Sequence, residues 1–338
     1  MKKIRVGLNG FGRIGRAFTR ITFSRNNPFE IVVINTGKTP INMLVYLLKH
    51  DSVYRDFEKQ VKELPNDILV DGKKIAAYNV REPEKIPWEK YDVDIVVDCT
   101  GVFKTRPDLE KHIHGSVKKV ILTAPAKDES IPYIVLGVND SNFNFKNEDI
   151  ISNASCTTNC AAPVFKVLND LLKIESGFLT TTHAYTSSQA LLDNTGKTYA
   201  TSRAAAQSII PSTTGAAKAV ARVIPELAGK VDGMALRVPT PTGSFTDFSC
   251  IVAKKTTAEE VNKLFKAASE TTMKGILGYA TEILVSSDYI GSSYSSIFDS
   301  NYTKVINGNL VKVYSWYDNE WGYSTRLVDL VERIGKYI

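Results

Sequence analysis

The sequence predicts an α/β chain in two parts: a Rossmann-like doubly wound parallel sheet domain, then an α+β catalytic domain with a mainly antiparallel sheet. Three observations predict it. Short continuous apolar runs alternate with helical patterns as far as residue 150, as parallel strands buried on both faces do. The first run leads directly into Gly10-x-Gly12-x-x-Gly15, which turns a strand into a helix. Beyond residue 156 the runs lengthen and become strongly β-prone.

Taken along the chain, residues 3–9 form the first strand, and the glycine turn opens a helix reaching about Ser24. Residues 30–35 are a buried parallel strand, and residues 41–50 have a helical pattern. Two further strands cover residues 93–99, ending at Thr100-Gly101, and 118–123, ending at Ala124-Pro125. A helix-like run begins at Ala161. The β-prone runs are 178–184, 234–238, 244–253 and 310–317, with helical patterns at 215–224 and 258–270 between them. The reading divides the chain into a dinucleotide-binding domain, 1–155, and a catalytic domain, 156–319. Leu327, Val331, Ile334 and Ile338 have helical spacing, so residues 320–338 are expected to pack back onto the first domain. Residues 185–205 read as a long, ordered, Ser/Thr-rich loop, a type of segment that often carries function.

Bulk properties exclude several classes. At 338 residues, 43% hydrophobic and 23% charged, the chain has the composition of a two-domain globular protein. Its net charge of +6 is spread along the sequence and forms no basic tail, so nucleic acid is not expected as the main partner. Cys99, Cys156, Cys160 and Cys250 include no Cys-x-x-Cys pair, which argues against a disulfide framework and a metal site and for a reducing, cytoplasmic setting. Cys99 and Cys250 read as small buried strand residues, and Cys160 as a packing residue. Met1-Lys2-Lys3 is basic, but Arg5, Asn9 and Gly10 interrupt any signal-peptide core, and no apolar run is long enough to cross a membrane.

The chemistry concentrates in two places. Gly10 and Gly12 allow a tight turn and close backbone approach to a pyrophosphate at the helix N-terminus. An acidic residue normally ends the second strand to hold the ribose hydroxyls, but here the chain reads Asn35-Thr36-Gly37-Lys38. Loss of that carboxylate removes repulsion against a 2′-phosphate, and Lys38 adds attraction, so NAD or NADP is expected as cofactor, with NADP used at least as well. The second place is Ser152-Asn-Ala-Ser-Cys156-Thr-Thr-Asn-Cys160. A thiol close to a helix N-terminus sits in a positive field that favours thiolate, and His183 supplies a base. Together they suit thiolate attack on an aldehyde followed by oxidation to a thioester. Ser155, Thr157, Thr186, Thr214, Gly215, Arg203 and Arg237 offer hydroxyls, backbone donors and forked cations for phosphate. His50, His112 and His114 read as surface residues.

These motifs resemble phosphorylating glyceraldehyde-3-phosphate dehydrogenases from end to end. The match runs from residues 6–16 through 152–160, 183–186, 209–218 and 237–241 to 315–320. The resemblance implies oxidative phosphorylation of glyceraldehyde 3-phosphate with inorganic phosphate, Cys156 as nucleophile and His183 as base. It places Thr186 and Arg237 on the substrate phosphate, and Ser155, Thr157, Arg203, Thr214 and Gly215 at the attacking phosphate or near it. Arg13 and Ile14 fall along the pyrophosphate, Arg81 near the adenine, Thr100 and Thr123 among the remaining cofactor contacts, and Asn319 on the nicotinamide carboxamide. It also implies a cytosolic homotetramer. Thr36 departs from the family, whose NAD-specific members carry aspartate there. Two alternatives stay open on sequence: an erythrose-4-phosphate dehydrogenase, and a binding protein that reuses the fold.

Overall fold

The computed structural model describes residues 3–338 and divides into two compact units. The first runs to Ile134 and takes in Asn142–Ala154 and Ser324–Ile338; the second holds Val135–Ser141 and Ser155–Tyr323.

The first unit is built on strands β1 (Ile4–Asn9), β2 (Phe29–Asn35), β3 (Val61–Leu64), β4 (Asp67–Val70), β5 (Lys73–Tyr78), β6 (Ile95–Asp98), β7 (Lys119–Leu122) and β8 (Ile150–Ser152). They form one sheet in the order β3-β4-β5-β2-β1-β6-β7-β8. From β5 to β8 every pairing is parallel, and β3 and β4 add an antiparallel edge. Helices α1 (Arg13–Ser24), α2 (Ile41–Lys49) and α3 (Arg106–Glu110) lie in the connections. The central strands bury both faces: Val6, Leu8, Val33, Val96 and Ile121 have no exposed surface. This explains their unbroken apolar runs. The chain order reverses at β1, between β2 and β6, which makes the carboxyl ends of these strands the expected place for a ligand.

The second unit opens with α4 (Cys156–Leu172), followed by β9 (Ile174–Ala184), β10 (Ile210–Thr213), α5 (Ala216–Val223), β11 (Val231–Val238), β12 (Ser244–Val252), α6 (Ala258–Glu270), β13 (Leu277–Ala280), β14 (Ser296–Ile306) and β15 (Leu310–Tyr317). Its sheet runs β10-β11-β9-β12-β15-β14-β13, with β11/β9 and β13/β14 parallel and the rest antiparallel. Along β12, Ser244, Thr246, Phe248, Cys250 and Val252 are buried on one face, the period-two pattern of a half-covered strand. α4 and α6 pack on that sheet. On the other face Phe178, Ile251 and Leu310 stay exposed; Ile251 and Leu310 are directly paired, and Phe178 shares their face. α7 (Trp321–Ile334) brings the chain back to the first unit at Ser324, where the Tyr337 and Phe145 rings stack 5.4 Å apart.

Four sequence expectations need correction. His112 is fully buried, not a surface residue, because its ring packs near Trp88 and Phe103 and its Nε2 faces Asp98. His114 is half-buried. Cys99 lies just past β6 and retains some exposed surface, so it is not a closed-in strand residue. The helix expected from Ala161 starts five positions earlier, at Cys156 itself, because Ser155 caps it.

Candidate active site

Ser155 is the N-cap of α4. Its hydroxyl accepts the Thr158 N–H at 3.0 Å, which satisfies one of the free donors of the first turn. The turn before it is strained, since the fully buried Ala154 has φ +53°. This tight entry puts Cys156 at the first helical position. His183 is the penultimate residue of β9, and its Nε2 lies 3.4 Å from Cys156 Sγ. Strand register sets Arg237 of β11 opposite His183.

The far side of the imidazole is crowded. His183 Nδ1 lies 2.6 Å from the Ala184 carbonyl oxygen and 2.6 Å from Arg237 Nη1, which also donates to that carbonyl at 3.2 Å. Nδ1 serves only one of them at a time. When Nδ1 carries the proton and donates to Ala184, Nε2 is left bare to take a proton from the thiol. When Arg237 donates to Nδ1, the ring proton sits on Nε2. Burial, and then the Arg237 charge, push His183 down to about 3. Burial pushes the Cys156 thiol up, opposed by Arg237 and by hydrogen bonds from Thr157. At this thiol burial opposes the positive field of the helix N-terminus while the imidazole is neutral.

Tyr317, at the end of β15, braces the pair. Its hydroxyl lies 3.0 Å from Thr157 Oγ1 on α4 and 2.9 Å from Thr181 Oγ1 on β9, and its ring meets His183 edge-on at 6.0 Å. Sequence reasoning did not single it out, although it sits inside the matched segment 315–320. Among the other phosphate candidates, Thr186 bonds Ser188 at 2.8 Å just beyond β9. Arg203 is exposed and donates to Asp193 at 2.9 Å within the 185–205 loop. Thr214 accepts the Ala216 N–H at 3.2 Å at the start of α5. Gly215 is the N-cap there, and a β-carbon on it would meet nothing within 4 Å. Asn319, just past β15, is buried, with its Oδ1 held by Ser244 at 2.9 Å and by Thr242 at 3.2 Å.

The first unit supplies the cradle for a dinucleotide. Gly10 has φ +96°, and a β-carbon there would sit 2.7 Å from both Cys99 C and Thr100 N. A β-carbon on Gly15 would lie 2.5 Å from the Gly10 carbonyl oxygen, whereas Gly12, at the uncapped start of α1, faces open space. Such a turn lets a pyrophosphate approach the N-terminal end of α1, so the residues present fit the cofactor. Gly10→Ala is expected to cost about 1–3 kcal/mol from strain and contact. Urea denaturation of the two proteins measures this as a lower midpoint.

Beneath the loop the strand ends share a polar ladder. Asn35 Nδ2 donates to Asn9 Oδ1 at 2.7 Å, Asn9 Nδ2 to Asp98 Oδ2 at 2.8 Å, and Thr100 Oγ1 to Asp98 Oδ1 at 2.7 Å. Thr123 joins through the Asp98 carbonyl at 2.9 Å. Arg13 opens α1 but turns its guanidinium to Asp51 and over the Tyr54 ring. Ile14 is half-buried, and Lys38 and Arg81 are exposed. Thr36 Oγ1 is engaged by the Thr39 backbone, with N–H and carbonyl at 3.2 and 3.1 Å, and by Asn79.

Comparison with known proteins finds one family in both units. Residues 4–106 match the family model described as the glyceraldehyde 3-phosphate dehydrogenase NAD binding domain, and residues 155–319 match the C-terminal domain of the same family. The chain is 50% identical over 334 residues to glyceraldehyde-3-phosphate dehydrogenase 1 of Bacillus subtilis, covering 98% of both chains. It is 51% identical over 331 residues to the glyceraldehyde-3-phosphate dehydrogenase of Geobacillus stearothermophilus, again covering 98% of both. To glyceraldehyde-3-phosphate dehydrogenase 2 of Streptomyces avermitilis it is 48% identical over 336 residues, 99% of both.

Proposed function

The chain belongs to the glyceraldehyde-3-phosphate dehydrogenase family, and from that premise we propose how its own residues oxidise and phosphorylate glyceraldehyde 3-phosphate to 1,3-bisphosphoglycerate. The observation that carries the reading is the approach of Cys156 Sγ to His183 Nε2, 3.4 Å, at a capped helix N-terminus with Arg237 beside it.

Cys156 gives its thiol proton to His183 Nε2, and its sulphur attacks the aldehyde carbon. Two opposite charges 3.4 Å apart offset the burial that penalises each of them alone. The carbonyl oxygen takes that proton back from His183 Nε2, which returns the ring to its neutral form, and the resulting hemithioacetal stays bound through sulphur. Bound NAD supplies the two-electron acceptor that converts this adduct into a thioester. As the adduct is oxidised, neutral His183 takes the hydroxyl proton. An oxygen of inorganic phosphate then attacks the thioester carbonyl, the C–S bond breaks, and the acyl phosphate leaves Cys156 as thiolate. Arg237 and Thr186 hold the substrate phosphate; Ser155, Thr157, Arg203, Thr214 and Gly215 serve the attacking one. A phosphate on Arg237 satisfies the guanidinium and frees Nδ1 to donate to Ala184, which leaves Nε2 as base. Assays with glyceraldehyde 3-phosphate, with and without inorganic phosphate, test the route: turnover that ignores phosphate would overturn it.

Gly10, Gly12, Arg13 and Ile14 hold the pyrophosphate of NAD through the backbone, Arg81, Thr100 and Thr123 line the rest, and Asn319 reads the carboxamide. Thr36 supports NADP as a second cofactor, because the strand end carries a neutral hydroxyl and an exposed Lys38 instead of a carboxylate. Thr36→Asp is expected to lower kcat/KM for NADP by about tenfold or more and to raise that for NAD. Parallel kinetics with both cofactors measure it; a parent enzyme with a large NAD preference would sink the idea.

The protein is proposed to act as a cytoplasmic homotetramer. Support comes from the open sheet face bearing Phe178, Ile251 and Leu310, and from the exposed Leu191, Leu192 and Tyr199 of the 185–205 loop. Among the described residues no helix is long and apolar enough to cross a membrane.

A further inference from the structure

Two buried hydroxyls take no part in the steps above. Ser244 opens β12 and is 1% exposed, and Thr242 two residues earlier is 2% exposed. Ser244 Oγ accepts the Ala184 N–H at 3.1 Å and donates to Asn319 Oδ1 at 2.9 Å. Thr242 Oγ1 lies 3.2 Å from the same Oδ1 and 3.1 Å from Asp318 Oδ1. A serine hydroxyl has one proton. With one lone pair taken by Ala184, that proton needs an acceptor, and Asn319 provides it only with Oδ1 turned inward. Nδ2 is then the outward group, and among the described residues it makes no hydrogen bond. The backbone around Asn319 is fixed as well, since Asp318 accepts the Glu320, Trp321 and Gly291 N–H groups at 2.9, 2.8 and 2.8 Å.

We propose that Ser244, supported by Thr242, is a specificity-determining positioning residue: it fixes the Asn319 side chain as a hydrogen-bond donor, so that the site selects a cofactor ring bearing an acceptor, the carboxamide carbonyl. The inference rests on the assignment of Asn319 to the carboxamide. An asparagine amide offers a donor or an acceptor by a half-turn about its last bond, and nothing in its shape prefers either. The preference comes from the hydroxyl proton behind it. The same hydroxyl holds the N–H of the residue next to His183, so one side chain ties the amide that reads the ring to the strand that carries the base.

Calorimetric titration of the full-length protein with NAD, and with an NAD analogue lacking the carboxamide, tests the proposal. The parent should bind NAD more tightly than the analogue. Ser244→Ala is expected to weaken NAD about tenfold and to leave the analogue within about twofold, so the ratio of the two dissociation constants collapses. Thr242→Val should move the ratio in the same direction by a smaller factor, and Ser244→Thr should restore it. A ratio unchanged in Ser244→Ala, or equal weakening of both ligands, overturns the role of Ser244. Asn319→Ala separates the two levels. If it leaves the parent ratio intact, the assignment of Asn319 itself fails. If it collapses the ratio and both hydroxyl variants do not, only the present inference fails.

Discussion

Cys156→Ser is expected to lower kcat for glyceraldehyde 3-phosphate by about four orders of magnitude or more, with the dissociation constant for NAD changed by less than about twofold. Oxygen replaces sulphur in the same cap geometry, so Ser155, Thr157 and Tyr317 keep their contacts. What changes is acidity and leaving ability. A thiol already pushed up by burial still yields its proton to an imidazole far more readily than an alkyl hydroxyl does, and His183, held low by burial and Arg237, is a weak base for the harder task. The ester that would follow is also a poorer acyl donor to phosphate than a thioester. Steady-state assays with a NAD titration check both halves. Retention of more than about 1% of parent kcat would remove Cys156 from the nucleophile's role.

Much of the first unit was legible because its strands are buried on both faces and announce themselves as unbroken apolar runs; β1, β2, β6 and β7 fall within a residue or two of the sequence reading. The antiparallel edge β3–β5 was missed, since Val61–Leu64 mixes Val, Lys, Glu and Leu with little periodicity. A signal was present in Asp71-Gly72, which adopts φ +49° and +78° and turns β4 into β5. Asn307-Gly308 does the same between β14 and β15, and β14 was missed beside it. At the site, Cys156 and His183 were visible from residue type and neighbours. Tyr317 and Ser244 were not, because their importance lies in what they touch: a hydroxyl linking α4 to β9, and a hydroxyl linking β9 to Asn319. Likewise His112 reads as a surface residue in sequence and is buried because Trp88, Phe103 and Asp98 close around its ring.

His183→Asn is expected to slow formation of the Cys156 thioester by about 10²–10⁴-fold and to shift the reactivity of Cys156 toward alkaline pH by at least about one unit. The sign follows from the pair. Burial raises the thiol, so the thiolate fraction of an isolated Cys156 is lost as pH falls through that raised value. In the parent the departing proton is captured 3.4 Å away on Nε2, and the imidazolium then stabilises the thiolate it has just produced. Asparagine donates a hydrogen bond in much the same place but takes no proton, so the thiolate must form against the full effect of burial. Burial and the Arg237 charge push His183 down, so before the thiol yields its proton the ring is neutral and able to accept it. Iodoacetamide alkylation of Cys156 followed from pH 5 to 10 in both proteins separates this from a structural effect, since it needs neither substrate nor cofactor. Overlapping pH profiles would mean that His183 leaves the thiol unassisted and serves only the later proton transfer.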